Sequence, residues 1–523
     1  MLIDHRTPIA DVLIHLLRRR SVRKSGEFLH PPHPLEYSTA YAAQARELLK
    51  LAKVAKSILI YGDYDTDGLT SSAILYLSLV SQGITPRVYI PHRQRDGYGF
   101  KFKPDFKADL IITVDNGIVA HFEIAKAQKK GIKVIVIDHH QSDATPSTAD
   151  LVIHNPDTSA SGLTWLVCRQ FDDHSDLGLA SLGVVADCVP LLGINRSLVV
   201  HGLQSLTHRP SLGVSELIRS AGLTRRPLTA YDLAFVLSPR LNAAGRLSDP
   251  QTAFELLTGS DPATLASISA QLAGLNLDRQ EIQQQLLHQI EKQVDPDSKL
   301  LFASSDQASA GIIGLIAGRL TEKYHLPSVI IAIENGTARG SCRSIDELDI
   351  IDTLRQFSSL FLDLGGHPLA AGFTISTAKI PSLQKKLTSL VDKKLSDYQP
   401  QSKSLFEAEM TLSAVKPRLI KALSLLEPFG VGNPQPLFLF HQVRLASLRQ
   451  IGQSQQHLKL RLDDPSTPAR ENTPAEAVAF KKGDLFPQLQ VGQLVDITAS
   501  LDLNIWNGTT SPQLVVRDII THG

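Results

Sequence analysis

Cysteine is scarce in this chain. Only Cys168, Cys188 and Cys342 occur among 523 residues, far apart and without a CxxC pair. A disulfide framework and a thiolate zinc site are thereby excluded, and a reducing compartment is the natural setting. Long apolar runs are missing too. None reaches the roughly 20 residues of a bilayer span, and the N-terminus lacks the unbroken apolar stretch of a secretion signal. A cytoplasmic protein is expected, without membrane association. Charge of one sign is also absent: 53 basic residues meet 52 acidic ones, for a net charge of +1. Any surface for nucleic-acid phosphates must therefore be local. The densest basic run, Arg18, Arg19, Arg20, Arg23 and Lys24, reads first as a solvated helix end and only second as a nucleic-acid contact. No internal repeat or long low-complexity tract occurs.

What the chain does have is a recurring pattern of apolar runs that end in carboxylates or histidines. Residues 57–60 lead into Asp63, Asp65, Asp67 and Gly68. Residues 110–114 lead into Asp115, Asn116 and Gly117, and residues 134–137 into Asp138, His139 and His140. With helical stretches between them, such runs read as buried strands of a parallel sheet. Right-handed crossovers put their ends on one edge, where open α/β sheets bind ligands. An apolar helical stretch at 179–189 adds a single carboxylate, Asp187, which is costly there unless paired or metal-bound.

The size predicts two to four domains. Residues 1–50 read as an N-terminal helical segment and 51–260 as the first α/β domain. Asp261 and Pro262 open a long connecting helix within 261–298, reaching about Gln293 and spanning on the order of 45 Å. A smaller α/β domain is expected over 299–398, with strands at 300–303 and 328–332, a helix at 312–324 and a sharp loop at Gly365-Gly366-His367. Residues 399–523 look mainly like short strands, and Trp506-Asn507-Gly508 signals a hairpin turn.

Asp63, Asp65 and Asp67 alternate by two. If the segment stays extended to a turn at Gly68, all three share a face and repel unless cations lie between them. A calcium loop would need an acidic residue at its twelfth position, where Ile74 stands. With Asp115, Asp138, His139, His140 and Asp187 on other elements, a metal centre is the economical reading. A carboxylate-rich set with one or two imidazoles favours Mn²⁺ or Mg²⁺ over structural zinc. Asp138 is placed to orient a ligating imidazole.

The motifs Tyr61-Gly62-Asp63-Tyr64-Asp65-Thr66-Asp67-Gly68, Val114-Asp115-Asn116-Gly117, Asp138-His139-His140 and Ala186-Asp187 resemble the four ordered motifs of the DHH phosphoesterase superfamily. Asp96-Gly97-Tyr98-Gly99, the stretch from Pro239 to Arg246, Gly365-Gly366-His367, Ala370-Ala371-Gly372 and the stretch from Pro428 to Pro434 narrow the resemblance to RecJ-type single-strand-specific exonucleases. The resemblance implies a parallel-sheet DHH domain, a long helix, a DHHA1 domain and a C-terminal β-barrel OB-fold. It implies 5′-to-3′ hydrolysis of single-stranded DNA to mononucleotides with two Mn²⁺ or Mg²⁺ ions, in repair and recombination. Carried over by motif, Asp63, Asp65, Asp67, Asp115, His139 and Asp187 are the metal ligands, with Asp115 bridging. His140 touches the substrate phosphate, and Asp115, His139 and His140 are the catalytic set. Whether Asp63 or Asp65 ligates directly stays open.

Arg93, Arg240, Ser341, Arg343 and His367 are the expected phosphate contacts, the small residues around Arg343 allowing close approach. Arg246, Arg319, Lys481 and Trp506 are further candidate contacts to single-stranded DNA, with Lys482 beside them. Phe438, Phe440, His441 and Trp506 read either as base-stacking platforms or as barrel core. The resemblance also implies a monomer working with a RecQ-type helicase and a single-strand-binding protein. One departure stands out: where the family shows Trp-His before Gly311-Ile312-Ile313-Gly314, this chain has Ala308 and Ser309. Two alternatives remain at this stage, a DHH phosphodiesterase for short RNA or cyclic dinucleotides and a non-catalytic DNA-binding scaffold. The first generally lacks an OB module, and the second typically loses metal ligands.

Overall fold

The computed structural model describes residues 1–522 except 94, 98, 225, 296, 335, 401–405, 466–473 and 507–508. It divides into two compact units, one of Leu35–Asp187 and His201–Ser402, the other of Met1–Pro34, Cys188–Val200 and Lys403–Gly523. No helix among the described residues is long and apolar enough to cross a membrane.

The first unit holds the expected parallel sheet. Strands β1 (Ile58–Tyr61), β2 (Arg87–Tyr89), β3 (Leu110–Val114), β4 (Lys133–Asp138) and β5 (Leu151–His154) lie in the order β2-β1-β3-β4-β5. Every pairing is parallel. All residues of β1 and β3 are buried, because helices cover both faces, and unbroken apolar runs are what such strands require. Helices α1 (Thr66–Ser81), α2 (His121–Gln128) and α3 (Ala160–Cys168) pack on the sheet, and α4 (Leu177–Ala186) packs on α1 and α3. Three begin at side-chain caps. The carboxylate or hydroxyl of Asp65, Ser159 and Asp176 accepts backbone N–H groups of the first turn.

A five-residue π-helical stretch, Leu233–Leu237, runs into α5 (Ser238–Leu247). The connecting helix α6 (Pro262–Glu291) follows, capped by Asp261 through the Thr264 N–H, with proline in its first turn. Its ends serve different cores. Leu286 and Ile290 join Leu301, Ile316 and Ile330, each such burial stabilising by about 1.5–3 kcal/mol. Its middle leaves Leu277 and Ile282 exposed.

The second sheet has strands β6 (Leu301–Ser305), β7 (Ser328–Glu334), β8 (Thr337–Arg343), β9 (Phe361–His367) and β10 (Ala370–Ser376), ordered β9-β10-β8-β7-β6. Only β6 and β7 pair in parallel. Helix α7 (Ile313–Tyr324) packs on β7 and β8. Here one expectation is corrected: Gly365-Gly366-His367 is the end of β9, paired with Gly372, Ala371 and Ala370, and no loop. The turn falls one step later, at Pro368 and Leu369. A Cβ at Gly366 would meet the Ala370 carbonyl at 2.4 Å, so glycine here permits close strand approach.

In the other unit, strands Phe438–Ile451, His457–Asp463, Ala475–Ala479, Thr509–Thr521 and Leu494–Trp506 pair in that sequence, and the last returns to the first. The five strands thus close a ring, the arrangement of an OB-fold. Three of them are 13 or 14 residues long, against the short strands expected. A closing sheet needs long, bent strands, and register shifts near Phe440/Val443 and Thr498/Ala499 supply the bends. Leu2–Ile3 adds to this sheet, parallel to Ala408–Met410. Helix Ile9–Arg19 buries Val12, Leu16 and Leu17 in the same core. Fully buried Arg196 donates to the carbonyls of Phe28, Leu425, Leu426 and Glu427, knitting three separate stretches together.

Candidate metal centre

At the carboxyl edge of the parallel sheet, β1, β3 and β4 deliver their acidic ends to one place. The first motif does not stay extended to Gly68. Helix α1 already begins at Thr66, because the Asp65 carboxylate accepts from the N–H groups of Asp67 and Gly68. Asp63 therefore sits before the cap, Asp65 at it and Asp67 in the first turn. A Cβ on Gly68 would lie 2.6–2.7 Å from Asp63 atoms, so glycine here lets Asp63 fold back onto the helix. Asp67 is fixed by α3, whose first N–H groups, Ala160 and Ser161, donate to its two oxygens at 2.8 and 3.0 Å.

Asp115 follows β3 with φ of +63°, a strained conformation for a residue with a side chain. Beside it Asn116 donates to the carbonyls of Gly62 and Val114, clasping the first two loops. Asn242, on α5, accepts from the Thr66 N–H and hydroxyl, fixing the start of α1. Neither asparagine was singled out from the sequence. Asn116 stood inside a motif, and Asn242 in Pro239-Arg240-Leu241-Asn242, so their positions carried a signal but their roles did not.

His139 Nε2 lies 3.3 Å from Asp115, 3.6 Å from Asp187 and 3.9 Å from Asp67. His140 is different. Its Nδ1 meets Asp138 at 2.8 Å and stands 4.0 Å from Asp115. Asp138 also accepts from the N–H groups of Ile118, His139 and His140. The imidazole that Asp138 orients is thus that of His140.

Ligand atoms of Asp67, His139 and Asp187 fall within 4.8 Å of one another, as do those of Asp63, Asp65 and Asp115, and of Asp115, His139 and His140. All six carboxylate and imidazole ligands expected from the sequence come together. Asp63 Oδ1, Asp115 Oδ1 and His139 Nε2 are buried with no hydrogen-bond partner among the described residues. Burial and then the neighbouring Asp65 push Asp63 up to about 8. Burial with Asp67 and Asp65 pushes Asp187 up to about 9. Asp115 rises well above the ordinary range through burial and the surrounding carboxylates, and Asp65 rises as well. For His140 burial works against the charged form, yet the Asp138 bond and nearby carboxylates prevail and hold it at about 9. Orphaned acceptors and mutually repelling carboxylates fit divalent cations, and the oxygen-rich donor set suits Mn²⁺ or Mg²⁺.

This carries a pH consequence. Unfolded carboxylates titrate near 4. Folded groups at about 8 and 9 bind protons that the unfolded chain releases, so their stabilising contribution is full below roughly pH 4 and is lost as pH rises through 8–9. Protein kept in chelator should therefore melt at falling temperature from pH 6 to 8.5, and Mn²⁺ should raise the midpoint more at pH 8.5 than at pH 6. Differential scanning fluorimetry reads both. Equal Mn²⁺-induced shifts at the two pH values would place the ions elsewhere.

The remaining candidates are distributed as follows. A Cβ on Gly314, at the start of α7, would lie 3.1 Å from Ser341 Oγ and 3.5 Å from Arg343 Nη2, so both residues stand over that helix end. Arg93 lies over the Tyr64 ring, 5.1 Å from its centroid. Arg246 donates to the Gly311 carbonyl, and burial with the charges of Arg93 and Arg279 lowers it to about 10. Burial, then Arg93, lowers Arg343 as well. Arg279, which the sequence reading passed over, shares this cationic neighbourhood, lowered by burial and by Arg319. Arg240 is tied to its own helix, donating to the Val236 carbonyl. His367 and Arg319 are exposed.

In the OB unit, Lys481 N donates to His457, and Lys482 pairs with Asp518. Phe438 and Phe440 are fully buried, so they are barrel core and no stacking platform, while His441 pairs with Asp496. The side chain of Trp506, together with Asn507 and Gly508 of the expected turn and Tyr98 of the Asp96-Gly97-Tyr98-Gly99 motif, lies outside the described residues.

Family models match in three places: the DHH family N-terminal domain over residues 57–189, the DHHA1 domain over 297–393 and the RecJ OB domain over 406–518. The single-stranded-DNA-specific exonuclease RecJ of Thermus thermophilus is 31% identical over 515 residues, covering 94% of this chain and 73% of that protein. The Escherichia coli protein of the same name is 31% identical, covering 88% of this chain and 87% of its own length. The crystal structure of Thermus thermophilus RecJ in complex with Mn²⁺ superposes with a TM-score of 0.82 at 28% identity, over 100% of this chain and 79% of that one. With three matching domains in order along the chain and relatives 31% identical over most of its length, this chain belongs to the RecJ family.

Proposed function

We propose that this protein is a metal-dependent exonuclease that hydrolyses single-stranded DNA from its 5′ end, releasing mononucleotides in repair and recombination. The observation that carries the reading is the intact cluster of Asp63, Asp65, Asp67, Asp115, His139 and Asp187, in a chain whose relatives are named single-stranded-DNA-specific exonucleases and whose solved relatives hold Mn²⁺ or Mg²⁺. Asp67, His139 and Asp187 would hold one ion and Asp63 and Asp65 the other, with Asp115 within reach of both groups. Asp63 offers an uncommitted oxygen, whereas one oxygen of Asp65 already serves as the helix cap. When bound, two such ions activate a water and neutralise the leaving oxygen.

The chain's own residues do the rest. His140, protonated on Nδ1 toward Asp138, presents its other ring nitrogen to the scissile phosphate. Ser341, Arg343 and Arg93 receive the terminal 5′-phosphate, with Arg240 and His367 as outer contacts. The OB unit binds single-stranded DNA. A RecQ-type helicase and a single-strand-binding protein supply and protect the strand, in the cytoplasm. The complete ligand set supports hydrolysis over a non-catalytic scaffold, and the OB domain supports a polymer substrate over a dinucleotide. Incubating 5′- and 3′-labelled single strands with protein and Mn²⁺ tests the reading: mononucleotides should appear first from the 5′ label. Release from the 3′ label first, or turnover confined to dinucleotides, rejects it.

Arg343→Ala should lower the kcat/KM preference for 5′-phosphorylated over 5′-hydroxyl strands by about tenfold or more, the range of a charge-assisted contact. An unchanged ratio would make Arg343 a general backbone contact, weakening both substrates alike.

A further inference from the structure

The Asp96-Gly97-Tyr98-Gly99 motif takes no part in the chemistry above, yet its carboxylate is among the most heavily used in the protein. Asp96 lies in the connection between β2 and β3. Its Oδ2 accepts from the Tyr89 hydroxyl and from the His92 N–H, both at 2.8 Å, and its Oδ1 accepts from Lys103 Nζ at 2.7 Å. Its own N–H returns to the His92 carbonyl at 2.8 Å. Lys103 closes the figure by donating to the Tyr89 hydroxyl and lying 4.7 Å from the centroid of that ring.

Tyr89 is the last residue of β2, and its ring packs against those of Tyr61 and Phe106. The Tyr61 hydroxyl in turn donates to the Gly99 carbonyl. One carboxylate, one ammonium and two tyrosines therefore fasten both ends of the connection to the sheet. The Asp96 side chain is only 7% exposed and that of Lys103 36%, so the bonds from the Tyr89 hydroxyl and the His92 N–H are the better shielded from solvent.

Within the fastened stretch stands Arg93, one residue after the backbone N–H that Asp96 holds. Its guanidinium lies over the ring of Tyr64, between the two acidic residues Asp63 and Asp65 of the first motif. Tyr64 cannot retreat, because the backbone of Gly245 approaches its carbonyl so closely that a Cβ there would stand 2.6 Å away. No carboxylate ion pair engages Arg93, Arg246 or Arg343 among the described residues.

We infer that Asp96, through Lys103 and Tyr89, is a positioning residue that fixes the connection so that Arg93 is held over Tyr64 for the terminal 5′-phosphate. The inference rests on the reading of Arg93 given under the proposed function. A long, flexible arginine loses rotamer freedom on binding, and a fixed backbone at residue 92 limits how much remains to be lost. Asp96 itself touches neither metal nor DNA.

The test is a double-mutant cycle between Asp96→Asn and Arg93→Ala, read as the kcat/KM ratio for 5′-phosphorylated over 5′-hydroxyl strands, with Mn²⁺ affinity measured by calorimetry. Arg93→Ala should cut the ratio about tenfold. Asp96→Asn should reproduce most of that loss, leave Mn²⁺ affinity unchanged, and add nothing in the Arg93→Ala background. Tyr89→Phe removes one hydroxyl while keeping the packed ring, so it reports on the fastening even if Asp96→Asn folds poorly, and it should lower the ratio in the same direction. If Arg93→Ala leaves the ratio unchanged, the reading of Arg93 falls and the inference with it. If Arg93→Ala lowers the ratio but folded Asp96→Asn and Tyr89→Phe do not, or if their losses add to that of Arg93→Ala, Asp96 does not act through Arg93.

Discussion

Asp115→Ala is expected to abolish cleavage and empty the metal centre while leaving the fold intact. Asp115 is 2% exposed, shares ligand-atom groups with Asp63 and Asp65 on one side and with His139 and His140 on the other, and carries an oxygen without a hydrogen-bond partner among the described residues. Losing it removes charge stabilisation worth several kcal/mol, so activity should fall by at least about a thousandfold. The effect on stability has the opposite sign to most buried substitutions. The carboxylates around it repel one another, and deleting one relieves the rest, so the chelated mutant should melt no lower than the chelated parent at pH 8. Metal analysis and scanning calorimetry read both outcomes. Retention of two Mn²⁺ per chain by the mutant would overturn the bridging position.

His139 and His140 should fail in different ways although they are adjacent. His139 Nε2 points into three carboxylates and has no hydrogen-bond partner of its own among the described residues. His140 is held by Asp138 and favours its charged form. His139→Ala should therefore lose Mn²⁺ affinity, and activity with it, partly recoverable at high Mn²⁺. His140→Ala should keep Mn²⁺ affinity and lose about 10²–10⁴-fold in turnover, the usual scale for a proton-bearing group at a reacting centre, with no recovery by metal. Titration calorimetry of both proteins decides the matter, since equal loss of Mn²⁺ binding removes the distinction.

The parallel sheet was legible because its strands are buried on both faces and therefore read as unbroken apolar runs ending in acidic clusters. The connecting helix was legible through Asp261 and Pro262, whose capping chemistry is local. What stayed hidden depends on partners distant in sequence. Nothing near Asp65 announces that it caps α1, since the same Asp-rich string could run on extended; only the donation from Asp67 and Gly68 decides it. Two adjacent glycines read as a loop, yet a glycine pairs in a strand as readily as any residue when its neighbour needs close approach, as Gly366 shows. Asn242 lies 176 residues from the Thr66 it fixes. Phe438 and Phe440 point inward because the strands close a ring, and closure is a property of pairings that no single strand displays.

The joining of Leu2–Ile3 to Ala408–Met410 has a consequence for how the chain is made. The first strand leaves the ribosome about 400 residues before its partner exists, a wait on the order of 20–80 s at ordinary elongation rates. Through that interval the apolar side of helix Ile9–Arg19, with Val12, Leu16 and Leu17, has no core to enter, while the Leu35–Asp187 stretch can already collapse on its own sheet. Residues 2–19 can therefore complete their packing only after the rest of that core, which extends to Val516, has been made.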